Sequence, residues 1–72
     1  MKIEESRDRF CRNIHWRRLK SGMTLTELAE HSELPLWMLE ELEKSVIPED
    51  MMVDDAVSLA RTFGCKVHEL FE

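Results

Sequence analysis

Apolar residues recur along this chain at intervals of three and four, the spacing that gathers them on one face of an α-helix. Phe10, Ile14 and Leu19, with Trp16 beside them, predict a first helix over residues 10–20, and Gly22 supplies a left-handed stop. Thr24-Leu25-Thr26-Glu27 is a capping box: the threonine hydroxyl accepts from a first-turn amide while the glutamate reaches back. Leu25, Leu28 and Ala29 continue it as a short second helix to about His31, whose place in the last turn suits a partial positive charge. Ser32-Glu33-Leu34 reads as a tight turn, and Pro35 opens a third helix over Leu36 to about Lys44, with Leu39 and Leu42 on one face. Ser45 to Glu49, marked by Pro48, is a loop, and Glu49 or Asp50 can cap a fourth helix. Met51 and Met52 begin that helix as core filler, Val53, Ala56, Val57, Ala60 and Phe63 carry its apolar face, and Gly64 ends it. Val67, Leu70 and Phe71 form a last short helix. No segment alternates with period two, so no sheet is expected. The expected fold is all-α, a compact five-helix bundle, with residues 1–9 an N-terminal arm or helix extension and 10–72 the domain proper.

Composition narrows the setting. A chain of 72 residues, 43% apolar and 35% charged, makes one small folded domain. No apolar run approaches the roughly 18 residues of a membrane span. Met1-Lys2-Ile3-Glu4-Glu5 lacks the apolar segment of a secretory signal, so a cytoplasmic protein is expected. A domain this small buries only about 60% of its chain surface, and self-association would help it. Charge is uneven: residues 1–22 hold seven Lys/Arg against three acids, +4, while residues 23–72 hold three against twelve, −9. Such asymmetry suggests an electrostatic footprint at one end, or pairing of the two halves across the fold.

Catalytic chemistry finds no foothold. There is no phosphate-binding loop and no nucleophile-base spacing compatible with the helices, so no enzyme is expected. Cys11 and His15 stand four apart, Cys65 and His68 three apart, and four such ligands would suit tetrahedral zinc if the end helices met. Their spacing matches no zinc signature, and both cysteines serve equally as reduced, small core residues, so neither metal nor cofactor is expected.

The stretch Met23-Thr24-Leu25-Thr26-Glu27-Leu28-Ala29-Glu30-His31-Ser32-Glu33-Leu34-Pro35 resembles the helix-turn-helix of the phage Cro/C1 repressor family. T-x-x-E-L-A-E, about three turn residues and a helix ending Leu42-Glu43-Lys44 carry the likeness. The tail from Leu59 to Phe71 resembles the family's closing I-A-x-x-L-G-V-x-x-x-E-L-F. The resemblance spans residues 10–71 and implies a small, dimeric DNA-binding transcriptional regulator. It implies a core of Leu28, Leu39, Leu42, Leu59, Ala60 and Phe63, with Leu34 plugging the turn, and an ion pair of Arg18 with Glu43 between the first and third helices. It also implies that the third helix lies in the major groove. Arg12, Arg17, Lys20, Thr24, Thr26 and Lys44 would then hold phosphates of double-stranded DNA, and Leu36, Trp37, Glu40 and Glu41 would face the groove.

The groove-facing set departs from the family. Base edges are donors and acceptors, yet two of these four side chains are large and apolar and two are acids. Leu25 replaces the glutamine often found after the capping residue, Glu33 replaces a frequent turn glycine, and Ser45 replaces the glycine after the third helix. Arg17 stands where the first helix usually buries an aliphatic residue. A different use of the same scaffold follows: Leu36 and Trp37, flanked by Met38, form an exposed apolar patch that docks a protein partner or a second copy without DNA. The dimer surface is then either this patch or the C-terminal Val67, Leu70 and Phe71.

Overall fold

The computed structural model describes residues 3–72, with side chains described from Arg7 onward. Four α-helices follow one another, α1 (Ile3–Ser21), α2 (Leu25–Ser32), α3 (Leu36–Glu43) and α4 (Val53–Phe63), and a 3-10 helix at Val67–Phe71 closes the chain. The fold is all-helical among the described residues, but with four α-helices rather than five, because the last apolar cluster winds as a tighter 3-10 segment. α1 begins well before the expected residue 10, so the described part of the N-terminal arm is helix extension, and residues 1–2 lie outside the described residues.

Each α-helix stops in the same way. A residue in the left-handed region follows the last turn, at Gly22 (φ 70°), Glu33 (φ 61°), Ser45 (φ 64°) and Gly64 (φ 69°). The next amide donates to the carbonyl five residues back: Met23 to Arg18 (3.3 Å), Leu34 to Ala29 (3.2 Å), Val46 to Glu41 (2.9 Å) and Cys65 to Ala60 (2.9 Å). Glycine takes this backbone freely, whereas Glu33 and Ser45 set Cβ against the following carbonyl. Glu33→Gly and Ser45→Gly are each expected to stabilise the fold by about 0.5–1 kcal/mol, the relief of strain exceeding the added freedom of the unfolded chain. Urea denaturation tests this, and a loss of stability in both variants would contradict it.

The helix starts are also locally determined. The Thr24 hydroxyl accepts from the Glu27 amide (3.1 Å), and the Glu27 carboxylate accepts from the Thr24 amide (3.0 Å). At α4 the cap is not Glu49 or Asp50: Met52 holds the N-cap position and the Asp55 carboxylate accepts from its amide at 2.9 Å. Ser32, expected in the turn, is the last residue of α2, buried, with its hydroxyl donating to the Leu28 carbonyl at 2.7 Å. That back-bond satisfies a polar group which burial would otherwise penalise.

One core unites all elements. Phe10, Cys11 and Ile14 from α1 meet Leu28, Leu39, Leu42, Ala56, Leu59, Ala60 and Leu70, while Leu34 and Phe63 pack partly buried against them. Burial pushes the Cys11 thiol up from its ordinary pKa, with Asp8 adding to the rise, which keeps it a protonated core group. Three expected placements are reversed by packing. Leu19 is exposed because α1 turns its Phe10–Cys11–Ile14 stripe inward and Leu19 falls about half a turn away from Phe10 around the helix. Met52 and Val53, 69% and 75% exposed, precede the part of α4 that reaches the core at Ala56. Met38 is buried rather than flanking a surface patch, since it shares the inward side of α3 with Leu39 and Leu42.

The chain end is held by a side chain that periodicity does not single out. Asn13 Nδ2 lies 3.0 Å from the carbonyl oxygens of both Leu70 and Glu72, and 2.9 Å from that of Arg9. Phe71 stacks on Phe10 with ring centroids 4.9 Å apart. Leu70, offered above as dimer surface, is wholly buried beneath this stack, so the C-terminal candidate for self-contact loses its central residue.

Candidate nucleic-acid interface

α2 and α3 are two short rods joined through Glu33, Leu34 and Pro35. Leu28 from α2 and Leu39 and Leu42 from α3 are buried in one core, which sets the outer side of α3. That side presents Leu36, Trp37 and Glu40 to solvent, with Glu41 half-buried at its margin and Lys44 exposed just past the helix. Trp37 is 50% exposed, half of its surface open to solvent and half covered by the domain. No described basic residue lies within α3 itself.

A polar cluster sets the position of α3 against α1. Glu43 Oε1 accepts from Arg18 Nε at 2.8 Å, and Oε2 accepts from His15 Nδ1 at 2.7 Å. Arg18 also donates through an Nη to the Met23 carbonyl at 2.8 Å, linking the α1 end to the start of the α2–α3 unit. Burial by itself would raise the Glu43 pKa, but the Arg18 and His15 hydrogen bonds and their charge bring it below the usual carboxylate value. The Arg18–Glu43 pair followed from the family resemblance, whereas His15 was read only as a possible metal ligand. Its Glu43 contact could have been sought from spacing, since His15 stands one turn from Arg18 on the same side of α1.

The six residues assigned to phosphates do not converge. Arg12 borders a cleft of about 470 Å³ with Asp8, His15, Glu43 and Ser45, at the α3 end of the molecule. Arg17 lies on another flank of α1, with Phe63, and its charge lowers the Glu69 pKa, after the larger effect of the Lys66 amide donating to that carboxylate. Its Nε is buried without a hydrogen-bond partner, and the residue as a whole is half-buried. Lys20 borders the same flank as Arg17 and is exposed. Thr24 and Thr26 are exposed at the α2 start. The Glu27 carboxylate already accepts from the Thr24 amide, and its pKa is lowered by that bond first and then by the Thr24 side chain.

Among the described residues, no group of three or more His, Cys, Asp or Glu is placed to hold a metal ion. Cys11 is sealed in the core and His15 is engaged by Glu43, so the four zinc candidates are not assembled. No helix among the described residues is long and apolar enough to cross a membrane. Comparisons with protein-family models, with curated proteins and with solved structures find no match.

Proposed function

We propose that this chain is a small DNA-binding transcriptional regulator of helix-turn-helix type. The observation that carries the reading is the α2–α3 unit: two short helices joined by a three-residue turn and packed on a shared leucine core, with the outer side of α3 left uncovered by the rest of the fold. A helix presented in this way can enter a major groove. Leu36 can meet a thymine methyl, and one acid can accept from a cytosine amine. Lys44, Arg12 and Lys20, with the threonine hydroxyls of the α2 start, are the available phosphate ligands.

Fluorescence polarisation of a labelled mixed-sequence duplex tests the proposal. Binding is expected in the micromolar range at low salt and should weaken as salt rises, by a slope of about −0.9 in log K against log salt for each phosphate contacted. Lys44→Glu should weaken it and flatten the slope. Absence of salt-dependent binding at micromolar protein would overturn the assignment.

A second reading is favoured by the side chains of α3. Leu36, Trp37 and Glu40 form an apolar and acidic face, of the kind that protein contacts bury and that phosphates repel. The same uncovered helix then docks protein instead of DNA.

A further inference from the structure

The outer side of α1 mirrors that of α3 in composition and opposes it in charge. Arg12, Trp16, Leu19 and Lys20 are exposed along α1, and Leu36, Trp37 and Glu40 along α3. Each face carries one half-exposed tryptophan, Trp16 at 57% and Trp37 at 50%, and one exposed leucine. Arg12 and Lys20 flank the α1 pair, with Asp8 one turn before Arg12, and Glu40 lies beside the α3 pair. Among the described residues, Arg12, Lys20 and Glu40 make no ion pair within the chain. The two faces adjoin, because His15 and Arg18 on α1 meet Glu43 on α3 along the seam between them.

We propose that these faces are the two halves of one self-association surface, the α1 face of each copy seating on the α3 face of a second copy. The proposal rests on the protein-contact reading of α3 and names its partner. A two-fold axis that seats the α1 face of each copy on the α3 face of the other engages both halves at once and closes the assembly as a dimer. Arg12 then faces Glu40 of the second copy, and the tryptophans supply the rigid apolar contact. The other exposed apolar patch, Met52 and Val53, continues into a groove lined by Ile47, Met51, Val67 and Phe71; Glu49, Asp50 and Asp54 stand beside it in the chain with no basic residue among them, so it lacks the opposite charge that the α1 and α3 faces offer each other. Self-association through α3 also covers the helix that would enter DNA, so the dimer is the form that does not bind it.

Sedimentation velocity of the full chain without DNA tests this. A monomer–dimer equilibrium is expected that weakens with salt. Arg12→Glu and Glu40→Arg should each weaken dimerisation by about tenfold or more, since each reversal creates two like-charge contacts per dimer. The double variant should recover most of the loss. Both sites are exposed, and far-UV circular dichroism checks that the variants remain folded. A monomer at every concentration and salt, singles that dimerise like the parent, or a double variant no better than the singles would each overturn the proposal. Association broken by Val53→Asp but not by Arg12→Glu would place the contact on α4 and overturn it as well. Failure of the DNA assignment is read separately, from duplex polarisation.

Discussion

Glu43→Ala is expected to destabilise the domain by about 2 kcal/mol, from the loss of two charge-assisted hydrogen bonds in a partly buried site. Arg18 keeps its bond to the Met23 carbonyl, but its guanidinium remains largely shielded without a counter-charge. In a domain of this size the loss corresponds to a fall in Tm of about 8–16 °C. Glu43→Gln tests the charge itself. The carboxyl is depressed in the folded state, so its contribution is complete above the ordinary carboxylate range and is lost as pH falls through the lower folded value. The stability gap between parent and Glu43→Gln should therefore narrow on acidification from neutral pH towards about pH 2. Urea denaturation at several pH values measures this, and a gap independent of pH would show that the carboxylate charge contributes nothing.

Leu39→Ala should cost more, about 3 kcal/mol or above, because Leu39 is wholly enclosed in the core and its removal leaves a cavity. Against a total stability of roughly 4–11 kcal/mol for a domain of this length, that places the variant close to unfolding. Leu36→Ala, three residues earlier on the outer side of α3, should change stability by less than about 1 kcal/mol. Thermal melts of the two variants read which side of α3 faces inward. Equal destabilisation would mean that α3 is rotated and that Leu36 and Trp37 are not the presented face.

The reach of sequence reasoning is clearest on α1. Periodicity located Phe10 and Ile14 on its buried side, but it also enrolled Leu19, which lies exposed; Arg17, given a phosphate by the resemblance at a position the family usually buries, has its Nε buried. Margins of a helical face are settled by what crosses over them, and no local signal carries that. Met52 and Met38 show the same limit in opposite directions: the first precedes the part of its helix that reaches the core, the second is buried beside Leu39 and Leu42. Asn13 was missed for a related reason, since its partners are carbonyls of the last residues of the chain.

Local chemistry alone determined where this backbone turns into helix and where it stops. Capping hydroxyls, reaching carboxylates, glycines in left-handed backbone and apolar spacing act within five residues, so their outcome is already written in the chain. Only the tertiary structure decided that His15 and Arg18 share one carboxylate, that the 3-10 segment carries Leu70 into the core, and that basic and acidic tryptophan-bearing faces stand side by side. Those arrangements depend on residues brought together from distant parts of the chain, and their energies exist only after the helices have packed.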